Sequence, residues 1–188
     1  MNSKEILNKY YTDYTLTNEW FGLIADLNDE YNLTNEEINI LRTVPHDILA
    51  YAKAYIKYFD NNFIELRNFF MNYNFNSSQL QIIIKAVDES NGRLSLENIC
   101  EVVNYKVPYN IMNWILSGLS DGMNEFNNRK YLEYDVDQLG VLYSAFKEGT
   151  DFSDYDDPSI DANTMNLVRI ARSMGKTVEI KEGVLTIY

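Results

Sequence analysis

Apolar residues recur along most of this chain at the three- and four-residue spacing of an amphipathic helix. Trp20, Leu23, Ile24 and Leu27 keep that spacing and predict a helix over residues 18–27, with Thr17 as its N-cap. The run TNEE at 34–37 fits a capping box, in which Thr34 and Glu37 satisfy each other's exposed backbone donors. Pro45 suits a helix start, where its missing N–H costs nothing. The run after it, HDILAYAKAYIKYF, is apolar nearly all round and predicts a buried helix. Asp60, Asn61 and Asn62 break the pattern before FIELRNFFMNY resumes it. Further helices are predicted after Ser77 and Ser78, after Ser95, after Pro108, after Asp135 and after Asp161, each behind a residue that caps well or fixes φ. The chain closes differently: TVEI, KEG and VLTIY are two short alternating runs around a turn, which is a hairpin signal. Two strands alone are marginal, so the hairpin must pack on a helix or join a partner's sheet.

Part of this pattern repeats. Asp137, Gln138, Leu139 and Leu142 lead to Gly149, and Asn163, Thr164, Met165 and Val168 lead to Gly175, 26 residues on. Asn110, Ile111, Met112 and Ile115 lead to Gly122, 27 residues before Gly149. A looser copy, Ser78, Gln79, Leu80 and Ile83, reaches Gly92 with two extra residues. Each unit is a helix of roughly three turns stopped by a glycine suited to the left-handed C-cap. Such a unit cannot bury its apolar face alone, so neighbours must stack. The fold expected is mainly α: a helical bundle over residues 1–75 continuing into short helical repeats over 76–188, with a C-terminal β-hairpin.

Charge changes the picture at one place. The net charge is −12, and residues 121–161 hold 3 basic and 11 acidic side chains, or −8 of it. Residues 162–188 balance at +2. A negative field of this kind repels nucleic-acid phosphates and attracts basic protein surfaces, so direct nucleic-acid binding by the acidic region is disfavoured. Its densest part is TDFSDYDDPSID at 150–161. One cysteine, Cys100, permits no intrachain disulfide or Cys-rich zinc site. The N-terminus lacks a signal-peptide pattern, and no run approaches 18 apolar residues, so the expectation is a cytoplasmic protein without membrane contact.

The stretch YDVDQLGVLYSAFKEGTDFSDYDDPSIDANTMNLVRIARSMGKTVEI resembles a repeat found in proteins of Firmicutes plasmids, phages and conjugative elements. There a Gln-Met or Gln-Leu helix ends in Gly and an Asp-aromatic-Ser-x-Tyr-x-x-Pro connector leads to the next helix. Gly149, Asp151, Ser153, Tyr155 and Pro158 match that connector, while Asp154, Asp156 and Asp157 add acid to it. The resemblance covers residues 108–180 and does not extend to residues 1–75. It implies a mobile-element protein, and such elements encode small acidic anti-restriction and anti-CRISPR proteins.

Familiar chemistries fit poorly. An EF-hand loop begun at Asp151 would put Tyr155 at position 5, Asp156 at the glycine position and Ala162 at the bidentate glutamate. Begun at Val87, the loop lacks both essential carboxylates. What remains for metal is a weak cation site at Asp154, Asp156 and Asp157. Acid–base catalysis needs a desolvated carboxyl, whereas aspartates among Ser and Pro in a turn are solvated. The run SMGKT at 173–177 has Ile170 where a phosphate loop needs Gly, and a strand where it needs a helix. His46 stands alone and is assigned a structural or surface role, and Cys100, at helical spacing from Leu96, is expected to pack in the core. The aromatic runs YYTDY and FFMNYNF lie among Asn and Asp rather than Lys and Arg, which favours core packing or a protein interface over base stacking.

No catalytic residue, cofactor or metal is therefore expected. The partner-binding candidates are Glu148, Asp151, Asp154, Asp156, Asp157 and Asp161, set to meet a basic protein surface such as that of a Cas9–guide RNA complex. The alternatives are a scaffold or adaptor of a mobile element, and a DNA-contacting regulator using Arg169, Arg172 and Lys176, as a homodimer through the C-terminal hairpin.

Overall fold

The computed structural model describes residues 18–181 and 184–188. The predicted cap at Thr17, the aromatic run at 10–14 and the hairpin turn at Glu182 and Gly183 lie outside the described residues. The protein is mainly helical, with helices α1 (Asn18–Tyr31), α2 (Asn35–Leu41), α3 (His46–Leu49), α4 (Ala52–Ile56), α5 (Phe63–Tyr73), α6 (Ser77–Glu89), α7 (Leu96–Val102), α8 (Tyr109–Asp121), α9 (Val136–Glu148) and α10 (Ala162–Ser173). An antiparallel hairpin follows, β1 (Val178–Lys181) with β2 (Val184–Ile187), in the register Val178 opposite Ile187. No helix among the described residues is long and apolar enough to cross a membrane. The chain forms two compact units, Met1–Ile84 and Lys85–Tyr188, so their boundary falls inside α6.

In the first unit the capping box forms: Thr34 Oγ1 accepts from the Glu37 N–H at 3.2 Å, and a Glu37 carboxylate oxygen accepts from the Thr34 N–H at 2.7 Å. The long helix expected after Pro45 is broken. It runs as α3, a bend at Tyr51, α4 and a 3-10 turn over Lys57–Phe59. Nor is the segment buried all round: His46, Ala50, Lys53 and Lys57 are exposed at helical spacing, while Leu49, Ala52, Tyr55 and Ile56 face the core. Asp60 and Asn61 then take left-handed φ values of 49° and 62°, and Asn62 caps α5. Tyr55 anchors this core. It is fully buried, its ring lies 5.9 and 5.5 Å from those of Phe69 and Phe70, and its hydroxyl donates to the Leu80 carbonyl at 3.0 Å.

The second unit is built on α8, α9 and α10, each packed on the next. Met112, Leu139 and Met165 occupy equivalent positions and are fully buried, as are Ile115, Leu142 and Val168 one turn on. Gly118, Ala145 and Ala171 follow as a row of small buried residues. At Gly118 the reason is visible: a Cβ would sit 2.5 Å from the Phe126 ring, which folds back from the segment after α8. All three helices end alike. Gly122, Gly149 and Gly175 have φ of 97°, 66° and 74°. The next N–H (Met123, Thr150, Lys176) donates to the carbonyl of the small residue at 2.8, 2.9 and 3.0 Å. This is the Schellman closure, three times over. The looser copy shares the buried row, in Leu80, Ile83 and the small Ala86, but not the closure. Asn76 and Gln79 cap α6 reciprocally at 2.9 and 3.0 Å, but the helix exits through left-handed Asn91 and Gly92.

Gly118→Ala should destabilise the protein by about 1–3 kcal/mol through overpacking against Phe126. Gly22→Ala in α1, where a Cβ meets nothing within 4 Å, should stabilise it by about 0.5–1 kcal/mol. Urea unfolding of the two variants checks both signs.

Candidate functional site

The acidic connector between α9 and α10 is an ordered chain of turns. After the Gly149 closure, Asp151 Oδ1 accepts the Ser153 N–H at 2.9 Å, and the Phe152 carbonyl accepts the Tyr155 N–H at 3.1 Å. Tyr155 is fully buried beneath this turn, and burial pushes its hydroxyl up to about 12. Asp157 Oδ1 accepts the Ser159 N–H at 2.8 Å. Asp161 caps α10, with Oδ1 accepting the Asn163 and Thr164 N–H groups at 3.1 Å and Oδ2 the Thr164 hydroxyl at 2.7 Å. A buried amide holds the second half in place: Gln138 of α9 donates from Nε2 to the Pro158 and Ile160 carbonyls at 3.0 and 2.7 Å. Its Oε1 accepts the Asp135 N–H at 2.8 Å, so one side chain caps α9 and pins the connector.

The six predicted carboxylates separate into two sets. Asp156 turns inward, with its side chain 15% exposed. It accepts from the Tyr131 and Tyr134 hydroxyls at 2.7 and 2.8 Å and from Lys130 Nζ at 2.6 Å. Burial first, and Asp156 second, raise both tyrosines above their ordinary value of 10.0. Asp156 therefore ties this connector to the preceding one, which forms 3-10 turns over Asn124–Asn127 and Arg129–Glu133. Glu148 pairs with Arg169, which Asn166 also holds through Nε and Nη2 at 3.1 and 2.9 Å. Asp154 pairs with Arg172. Three of the six thus have their charge balanced by a cation of the same unit.

Asp151, Asp157 and Asp161 form the second set. They are exposed and bonded to uncharged donors, so their charge faces solvent unbalanced by an ion pair. Each is held below the ordinary aspartate value of 3.8. The causes are hydrogen bonds from Ser153, first through its backbone, and from the Ser159 and Thr164 side chains followed by their backbones. What the arrangement offers chemically is fixed negative charge on a stiff loop. Among the described residues no group of three His, Cys, Asp or Glu side chains is placed to hold a metal ion. The weak cation site considered at Asp154, Asp156 and Asp157 is divided by the inward turn of Asp156.

Two of the three basic residues considered for DNA contact, Arg169 and Arg172, are in these ion pairs, and Lys176 is exposed. His46 lies 3.7 Å from Glu19. Cys100 is half-buried rather than in the core, and desolvation pushes its thiol up to about 12. Sequence reasoning missed Lys130, Tyr131, Tyr134 and the inward role of Gln138. The available signal was the recurrence of Gln at the third helical position, as in Gln79 and Gln138. No family model, curated protein or solved structure matches the chain.

Asp156→Asn removes a charge from two tyrosine hydroxyls and Lys130, and should cost about 2–4 kcal/mol in chemical denaturation. Asp154→Asn breaks a largely exposed pair and should cost at most about 1 kcal/mol. The depressed aspartates predict a sign with pH. Their contribution is complete above 3.8, the unperturbed value, and is lost as pH falls through their lower folded values. Thermal melts from pH 7 downward should show this loss. Asp→Asn at 151, 157 and 161 together should shallow the acid limb, since Asn makes the same turns without titrating.

Proposed function

We propose that this protein is a non-catalytic inhibitor that docks on the basic surface of a nucleic-acid-targeting defence enzyme of the Cas9 type and blocks DNA recognition. One observation carries the reading: Asp151, Asp157 and Asp161 are exposed, ionised and locked by backbone hydrogen bonds in a connector pinned by Gln138. Charges held this way lose little freedom on binding, which favours association with a cationic groove. The −8 balance of residues 121–161 steers such an encounter, with a rate that falls as salt rises. The resemblance of residues 108–180 to mobile-element repeats supports the same class of target, and the working compartment is then the cytoplasm of a bacterial host.

A second reading is a scaffold or adaptor of a mobile element. The consumption of Glu148, Asp154 and Asp156 inside the unit favours it, because these acids serve the stacking of repeats. A DNA-contacting regulator is less favoured, with Arg169 and Arg172 committed to those acids.

The two readings part in a DNA-shift assay with guide-loaded Cas9. An inhibitor abolishes the shifted band, and Asp→Asn at 151, 157 and 161 together weakens the inhibition about 10- to 100-fold at low salt in a variant that stays folded at neutral pH, its melting temperature lowered only by the lost carboxylate contribution. An unchanged band with Cas9 orthologues from several hosts would discard the inhibitor in favour of the scaffold.

A further inference from the structure

Each repeat helix presents the same positions to the helix that follows. Trp114 of α8 lies against α9, its ring 5.5 Å from that of Tyr143 and 3.4 Å from where a Cβ on Gly140 would sit. Asp121, the last residue of α8, accepts from Tyr143 and from Lys147 of α9. Glu148, its equivalent in α9, pairs with Arg169 of α10. In α10 the corresponding residues are Leu167 in the Trp114 position and Met174 in the place of Asp121 and Glu148, with Ile170 between them. No further helix follows among the described residues, and these three side chains are 51%, 69% and 36% exposed in that order. Their spacing puts them in one stripe. The hairpin is tied to the end of this helix, because the Tyr188 N–H donates to the Thr177 carbonyl at 2.9 Å, three residues from Met174, and it carries Ile187 on the Val178 face and Tyr188 on the Glu179 face. Ile187 and Tyr188 are 42% and 69% exposed. Five of the ten large apolar residues exposed among the described residues therefore belong to the last 22 positions, a concentration that marks an interaction surface.

We propose that this face is a two-fold interface between two copies of this chain. It continues the stacking surface of the repeats, but Met174 replaces the acid by which each earlier helix selects a cationic neighbour. An uncharged apolar stripe is complementary to itself, as an isologous contact requires. The field of the whole chain selects the same place. Two copies at −12 repel, and residues 162–188, near neutral once Arg169 and Arg172 are paired with Glu148 and Asp154, are where that repulsion least opposes contact. An interface of standard size buries roughly 800 Å² per partner, more than five side chains supply. The outer edge of β2, which has no partner strand among the described residues, adds backbone hydrogen bonds when it pairs antiparallel with its copy.

Sedimentation equilibrium of the full chain over a wide concentration range tests this. The wild type should pass from monomer to dimer. Met174→Glu restores the acid found at Asp121 and Glu148 and so is compatible with the repeat. It should raise the dimer dissociation constant by about a hundredfold by setting like charges together, and Leu167→Glu should do the same. Ile64→Glu, at an exposed apolar site of the first unit, should leave dimerisation unchanged. A chain monomeric at every concentration overturns the proposal, as does a dimer that both variants leave intact. A monomer that binds an apolar dye, and loses it in Met174→Glu, overturns it in favour of a different partner on the same face.

Discussion

One residue past a left-handed glycine, a backbone N–H donates to the carbonyl of a small buried residue, and α8, α9 and α10 each end on this bond. Helices this short cannot sustain themselves in water and owe their stability to the face they bury. The closure returns the chain toward the core after a fixed number of residues, so Met112, Leu139 and Met165 reach equivalent buried positions. A small residue is needed where the chain folds back over the helix end, as Phe126 does over Gly118. The glycine, the small residue and the buried row are therefore one constraint seen at three places.

The acidic connector follows from that constraint. A segment leaving Gly149 has to cross to Asp161 with its backbone polar groups satisfied, and side-chain oxygens supply the acceptors that no ladder provides. Asp151, Asp157 and Asp161 serve the backbone, Asp156 serves the neighbouring connector, and Glu148 and Asp154 serve α10. The charge exposed outside is thus a by-product of the turns. Only those acids whose donors are neutral project it. A connector that folds by means of its carboxylates also presents them rigidly, so the proposed binding role rests on residues that shape the turns.

Patterns local in sequence were legible before any coordinates. The 26- to 27-residue recurrence, the glycine stops, the capping box at Thr34 and the terminal hairpin all depend on groups within one turn or one strand pair of each other. The buried helix expected after Pro45 starts where expected but is interrupted before Ala52, and its His46, Ala50, Lys53 and Lys57 stripe faces solvent. Which carboxylates face solvent was decided only in three dimensions. Asp156 and Asp157 are adjacent and chemically identical, yet one is enclosed by Tyr131, Tyr134 and Lys130, more than twenty residues away, and the other by a neighbour two residues on. Sequence by itself determined where the chain turns and how many acids the turn carries, since both are set by short-range hydrogen bonding. The tertiary structure alone decided which of those acids keep an unbalanced charge, because ion pairs and burial depend on residues that only folding brings together.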